Sequence, residues 1–146
     1  MPVLPIVLGA DTPILRAKTK KVPLVTKDIL KLIKDMRATV KHAEGAGLAA
    51  PQVNRSERVC LALINGKMTP LINPEITWKS DETSVMEEGC LSLPGINVDV
   101  PRAVEIRLTY LNEKGESQER HLHDFDARVV QHEVDHLEGV LMTDYL

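Results

Sequence analysis

The chain has 146 residues, of which 43% are hydrophobic and 27% charged, as in an ordinary globular domain with a buried core. Its net charge of −3 argues against a protein that binds nucleic acid electrostatically, since such proteins are usually basic. Two cysteines are too few for a disulfide framework, and no stretch is apolar enough to span a bilayer. We therefore expect one domain over residues 1–146 that acts in the cytoplasm, with no membrane partner.

The first clear element in chain order is an amphipathic helix that begins near Thr26. Threonine is a good N-cap residue, and Asp28 follows in the first turn, where a negative charge is favourable. Apolar residues then recur every three or four positions, as one buried helix face requires: Ile29, Ile33, Met36 and Val40. The helix is expected to end by the glycine-containing run at residues 44–47.

The middle of the chain is expected to form strands. An apolar run ends at Asn65 and Gly66, a dipeptide that is typical of a tight hairpin turn. Further on, apolar and polar residues alternate, as in a strand that is buried on one face. We predict four strands, at residues 58–64, 68–76, 104–110 and 118–122.

A second helix is predicted from Asp124 to Glu138, with Gly139 as its stop signal. Residues 132–136 within it read H-E-x-x-H. The predicted fold class is therefore α+β: antiparallel sheets packed around a C-terminal helix that carries this motif, with an N-terminal helix.

The H-E-x-x-H segment indicates a metal site. His132 and His136 lie four residues apart, so both rings can reach one ion, while Glu133 can serve as a catalytic acid/base without binding the metal. A catalytic site needs a third protein ligand, for which Cys90 is the candidate. The histidines could instead be only hydrogen-bonded, as histidines on helices often are, and the cysteine could be a small buried core residue. For Cys60, inside an apolar run, we prefer the core interpretation.

Three segments together resemble the motifs of peptide deformylases. Residues 45–52 (GAGLAAPQ) are similar to the first family motif, residues 88–92 (EGCLS) to the second and residues 131–137 (QHEVDHL) to the third. Their order and spacing also fit, so the resemblance covers nearly the whole chain. It implies an enzyme that removes the formyl group from the N-terminal formyl-methionine of new polypeptides and releases formate.

The resemblance also implies residue roles. Cys90, His132 and His136 would bind one divalent metal, usually Fe2+ in this family, with Zn2+, Ni2+ or Co2+ as substitutes. Glu133 would be the acid/base, while the side chain of Gln52 and the backbone N–H of Leu91 would donate to the developing oxyanion. Gln52 could instead only tie down its own loop.

The substrate site is expected near the three motifs. Residues 45–47 would pair with the substrate backbone as an added strand would, and Arg102 could brace Glu88 or be a solvated charge. Arg128 stands where we expect an aliphatic residue, so it could line the pocket mouth or turn outward. The full expected set is Gly45, Ala46, Gly47, Met86, Glu88, Gly89, Arg102, Phe125, Arg128 and Val129.

Two other functions fit the H-E-x-x-H motif alone: a different zinc hydrolase with another third ligand, and a non-catalytic metal-binding protein. The intact Glu133 and Gln52 weigh against the second. The chain stops soon after the third motif. In this it resembles a short or trimmed family form without the C-terminal helix that contacts the ribosome. We expect a monomer that comes near the ribosome only transiently.

Overall fold

The computed structural model describes residues 2–146, and it is an α+β domain with antiparallel sheets, as predicted. The helices are α1 (Pro13–Arg16), α2 (Lys27–His42) and α3 (Asp124–Leu137), with 3-10 turns at Ala50–Val53 and Met142–Tyr145. The strands are β1 (Gly47–Ala49), β2 (Val59–Ile64), β3 (Lys67–Lys79), β4 (Thr83–Cys90), β5 (Leu93–Ala103), β6 (Glu105–Leu111) and β7 (Ser117–His123). No helix among residues 2–146 is long and apolar enough to cross a membrane.

Five strands form the central sheet, in the order β1-β2-β3-β6-β7, with every neighbouring pair antiparallel. Asn65 and Gly66 connect β2 to β3 with positive φ angles of 53° and 77°, the conformation that a tight hairpin needs. Strands β4 and β5 form a separate two-stranded sheet. Strand β1 is an edge strand, so one of its sides is free to pair with another chain.

Helix α2 forms as its sequence pattern predicts. The Thr26 hydroxyl accepts a hydrogen bond from the backbone N–H of Ile29 at 3.3 Å, which caps the helix start. The apolar residues at helical spacing, Ile29, Ile33, Met36 and Val40, are all at most 5% exposed. They pack with Leu61 and other sheet residues into one core cluster.

Strand β2 is buried on both faces and therefore separates two cores. Its residues Val59 and Leu61 join the cluster around α2, whereas Cys60, Ala62 and Ile64 join the cluster around α3. Because successive side chains of a strand point to opposite faces, α2 and α3 cover opposite faces of the central sheet. The core interpretation of Cys60 is confirmed, since its side chain is 0% exposed and burial raises the pKa of its thiol.

Sequence reasoning missed the β4–β5 hairpin, β1 and the short α1. Most β4 side chains are exposed and mix polar, apolar and charged residues, so this strand lacks the alternation that marks a half-buried strand. Yet this hairpin carries Glu88 and Cys90 to α3, and it is therefore the element that completes the candidate site.

Candidate active site

Three predicted metal ligands converge from two elements that are far apart in the sequence. Cys90 ends β4, while His132 and His136 lie one turn apart on α3. The ligand atoms of these three residues all lie within 4.8 Å of one another, and the Sγ of Cys90 is 3.3 Å from the Nε2 of His136. His136 is 1% exposed, and burial lowers the pKa of its ring well below the usual value.

This donor set fits a divalent transition metal. One thiolate and two imidazoles are the ligands that Zn2+ or Fe2+ accepts in catalytic sites with an open position. A tetrahedral ion bonded to sulfur and nitrogen would hold those two atoms roughly 3.6 Å apart, close to the observed 3.3 Å. The three residues therefore fit one cation with little rearrangement.

The carboxylate of Glu88 orients this site through four hydrogen bonds. Arg102 donates from Nε and Nη2 at 2.9 Å each, Arg128 donates from Nη1 at 2.6 Å, and His132 Nδ1 lies 2.9 Å from Oε1. The last contact leaves the Nε2 of His132 for a metal, the arrangement by which a carboxylate fixes a ligating histidine. Burial alone would raise the pKa of Glu88, but hydrogen bonds from Arg102 and His132 lower it well below the usual value.

The same contacts act on His132. Burial alone would lower the pKa of this histidine, but its interactions with Cys90 and Glu88 raise it to about 10. The Glu88 carboxylate and the His132 ring are therefore coupled, since each shifts the pKa of the other.

Glu133 lies beside the candidate metal ligands and is almost completely shielded from solvent. It is 5% exposed, and burial raises the pKa of its carboxyl to about 7. Within residues 2–146, its Oε1 is a buried oxygen without a hydrogen-bond partner. A carboxyl group with a pKa near neutrality can both accept and return a proton, which suits a general acid/base.

Gly47 explains how Glu133 reaches the cavity. A Cβ at this position would lie 2.6 Å from the Oε2 of Glu133 and 2.8 Å from the backbone oxygen of Leu61. Both distances are too short for any side chain, so only glycine lets β1 pass so close to the carboxylate. The second glycine of the first motif is therefore required by packing against Glu133.

The two interpretations of Gln52 are both visible in its contacts. Its Oε1 accepts from the backbone N–H of Ala49 at 3.0 Å, which ties down its own loop. Its Nε2 donates to the Ser92 hydroxyl at 3.0 Å and lies 3.7 Å from the Sγ of Cys90. Because its oxygen is held by the loop, its N–H group is directed towards the candidate metal ligands.

A cavity of about 430 Å³ adjoins these residues. Its lining contains the candidate metal ligands Cys90 and His132, with Glu133, Gln52 and Leu91. Nine of the ten expected substrate residues also line it: Gly45, Ala46, Gly47, Met86, Glu88, Gly89, Phe125, Arg128 and Val129. Sequence reasoning did not single out Leu93, Ile96 and Asn97, which come from β5 and complete the wall.

Arg102 is the exception, because the cavity lining found among residues 2–146 includes its partner Glu88 but not Arg102 itself. The expectation that Arg102 binds substrate is therefore corrected. Its side chain is 3% exposed and is held by Glu88 and Asp135, at 2.9 and 2.5 Å, so it braces the site and is not a solvated charge. Tyr145 extends this network, since its hydroxyl donates to Asp135 at 2.7 Å.

Arg128 does not turn outward to solvent. It is 4% exposed, and besides Glu88 it donates to the backbone oxygens of Val100 at 2.9 Å and Ser84 at 2.8 Å. These contacts hold the long cation against the β4–β5 hairpin at the cavity wall. The sequence placed Arg128 near the cavity, one turn before His132, but only the tertiary pairing shows that it shares the carboxylate of Glu88.

Comparison with known proteins gives one consistent result. The sequence model of the polypeptide deformylase family matches residues 3–146. A peptide deformylase of Pseudothermotoga lettingae is 47% identical over 134 residues, 92% of this chain and 78% of that protein.

Solved structures agree with these matches. The crystal structure of peptide deformylase from Thermotoga maritima superposes with a TM-score of 0.96 at 41% identity, covering 100% of this chain and 99% of that one. A class I type b peptide deformylase from Acinetobacter baumannii, solved with Met-Ala-Ser bound, gives a TM-score of 0.93 at 35% identity, covering 99% and 98%.

Proposed function

The chain belongs to the peptide deformylase family, and from this we propose that Cys90, His132 and His136 hold its catalytic metal while Glu133, Gln52 and Leu91 act on the substrate. Its function is the removal of the N-terminal formyl group from new polypeptides, with release of formate. The observation that carries the residue assignment is the convergence of one sulfur, two imidazoles and a buried carboxylate at the wall of a single cavity.

A divalent cation on these ligands would supply Lewis acidity, which polarises a carbonyl and makes water acidic. Protein groups transfer the proton and stabilise the negative oxygen. Glu133, with its pKa raised to about 7, takes a proton from the attacking water and returns it to the departing amine, which cannot leave as an anion. The Nε2 of Gln52 and the N–H of Leu91 stabilise the negative oxygen, and one such donor is typically worth ~3–4 kcal/mol.

We propose that the peptide lies along the outer side of β1. This strand ends the central sheet, and residues 45–47 line the cavity, so an extended substrate could add its backbone as a further strand. The methionine side chain would then enter the apolar part of the cavity. Met86, Ile96 and Phe125 line it and stay 43–48% exposed, as residues that contact a bound peptide would. The A. baumannii enzyme solved with Met-Ala-Ser supports a peptide of this kind.

The native metal is proposed to be Fe2+. A thiolate ligand beside redox-active iron is exposed to oxidation, so the iron form should lose activity in air. We expect protein purified without oxygen to release formate from formyl-Met-Ala-Ser, and the activity to fall on exposure to air. The same protein loaded with Ni2+ should stay active in air, and equal stability of both forms would argue against iron.

Cys90 provides the sharpest test of the ligand set. Cys90→Ala should lose both the bound metal and formate release, because two imidazoles alone bind a divalent ion weakly. Cys60→Ala is the matched control, since Cys60 is buried in the core, and it should keep the metal content and the activity of the wild type. A Cys90→Ala protein with full metal content and activity would favour a hydrolase with another third ligand.

The substrate also suggests where the enzyme works. New polypeptides emerge from ribosomes, so we propose a cytoplasmic monomer that meets the ribosome transiently. Sedimentation velocity should then give a mass near 16.2 kDa, and a dimer mass would contradict the monomer proposal.

A further inference from the structure

A second cluster of metal-binding side chains lies on the central sheet, and none of its residues lines the catalytic cavity. Glu105 begins β6, and His121 and His123 are near the end of β7. Their ligand atoms all lie within 4.8 Å of one another, as do those of the catalytic ligands. We propose that this cluster, Glu105 with His121 and His123, is a second binding site for a divalent transition metal.

Strand pairing places these three residues together. Glu105 is directly opposite His123 in the β6–β7 register, and His121 lies two residues before His123, on the same face of β7. The intervening Leu122 and Ile106 point into the core around α3, so the cluster lies on the opposite face of the sheet, where both histidines are exposed. The register is regular over all seven pairs of β6 and β7, so the backbone positions of the ligands are fixed.

The distances suit one small cation. The Nε2 of His121 is 2.6 Å from one Glu105 oxygen, and the Nδ1 of His123 is 3.7 Å from the other. Two ligands of a tetrahedral zinc site with bonds near 2.0–2.1 Å lie roughly 3.3 Å apart, between these two values. Modest rotations of exposed side chains therefore create the site, and the histidine rings are already close, with centroids 4.6 Å apart.

The donor set decides the class of metal. Two imidazoles and one carboxylate favour Zn2+, Ni2+ or Cu2+ over Mg2+ and Ca2+, which prefer oxygen ligands alone. The side chains of His121 and His123 are 44% and 57% exposed, so water can complete the coordination. Arg107 pairs with His121 across the strands, but its guanidinium lies over the ring of Trp78, 6.0 Å from the centroid.

The fluorescence of Trp78 can report metal binding at this cluster. Trp78 is the chain's single tryptophan, and its ring meets His121 edge-on with the centroids 6.2 Å apart. A paramagnetic ion bound to His121 should therefore quench its fluorescence. The alternative to a metal site is a simple ion pair between Glu105 and His121, which would bind no metal and leave this fluorescence unchanged.

The test uses protein whose catalytic site is already loaded with Ni2+, with further Ni2+ as the probe. Equilibrium dialysis should find two Ni2+ per chain in the wild type but one in the His121→Asn/His123→Asn variant. Tryptophan quenching should accompany only the second equivalent, and Glu105→Gln should weaken that equivalent. His42→Asn, which changes an exposed histidine of α2, is the matched control and should keep both.

Formate release should stay at the wild-type level in all of these variants, because none of them changes a residue of the catalytic cavity. One Ni2+ per chain in the wild type would overturn the proposal. So would a second equivalent that survives in the double variant. Either result would leave the catalytic assignment intact.

Discussion

Helices α2 and α3 cover opposite faces of one sheet, yet they bury different chemistry. The buried face of α2 is mostly apolar, with Ile33 and Met36 at most 1% exposed and only Asp35 and Thr39 as buried polar residues. The buried face of α3 includes Arg128, Gln131, Glu133 and His136, each at most 5% exposed. Burial of apolar area stabilises a fold directly, whereas burial of a polar group costs free energy unless the group is paired.

The difference teaches how this domain separates stability from activity. The α2 face can supply much of the hydrophobic stabilisation without touching the substrate. The α3 face can then hold charged groups, because the β4–β5 hairpin supplies their partners through Glu88 and Arg102. Substitutions on α2 should therefore change the free energy of unfolding, and substitutions on α3 should change the chemistry, alone or together with stability.

Glu133→Gln should have the largest effect on kcat, without a loss of stability. Loss of the acid/base should lower kcat by roughly 10⁴-fold. The free energy of unfolding should not fall, because the raised pKa of Glu133 shows that its ionised form is unfavourable when buried. Formate release, metal content and urea unfolding measured on one preparation test this.

Glu138→Gln, an exposed change at the C-terminal end of α3, is the matched control and should leave kcat unchanged. A Glu133→Gln protein that keeps kcat within tenfold of the wild type would remove Glu133 from the mechanism.

Glu88→Gln should lower both the stability of the fold and the affinity for the metal. It would leave two buried guanidinium groups without their shared carboxylate, so the free energy of unfolding should fall by about 3–5 kcal/mol. Because Glu88 also orients His132, metal affinity should fall by roughly 10–100-fold. Urea unfolding and metal titration measure these two effects.

The neighbouring Glu87 is exposed, so Glu87→Gln is the control and should change neither quantity. Arg128→Leu should cost less than Glu88→Gln, since Glu88 keeps its bonds to Arg102 and His132. Equal stability of the Glu88→Gln and Glu87→Gln proteins would show that the buried network does not support the fold.

The same contrast explains what could be predicted from the sequence. The apolar period of α2 and its Thr26 cap are local signals, and both were confirmed. The three candidate metal ligands could be named because each lies in a short motif. The position of Arg128 could not, because a long cation at that helix position can turn either way. Its direction is set by Glu88, which lies 40 residues earlier on β4, a strand that its polar and exposed sequence did not predict.

Met36→Ala should test the apolar face. Met36 is 0% exposed in the core under α2, and deletion of such a side chain typically costs about 2–5 kcal/mol. The activity of the folded protein should be unchanged, since the cavity lining comes from other elements. Lys34→Ala, on the exposed side of the helix, should be close to neutral. A fall in kcat at a temperature where Met36→Ala is fully folded would show that the two faces are coupled.

Thr26→Ala should have the smallest effect and should act on α2 alone. The hydroxyl of Thr26 caps the helix through a single 3.3 Å contact with the N–H of Ile29, at the long end for a hydrogen bond. We therefore expect a loss of about 0.5–1 kcal/mol in the free energy of unfolding, near the lower end for cap removal. Thr26→Ser keeps the hydroxyl and should restore most of that loss, with kcat/KM unchanged in both proteins. If Thr26→Ser were as unstable as Thr26→Ala, the stabilisation would come from the methyl group of Thr26 and not from the cap.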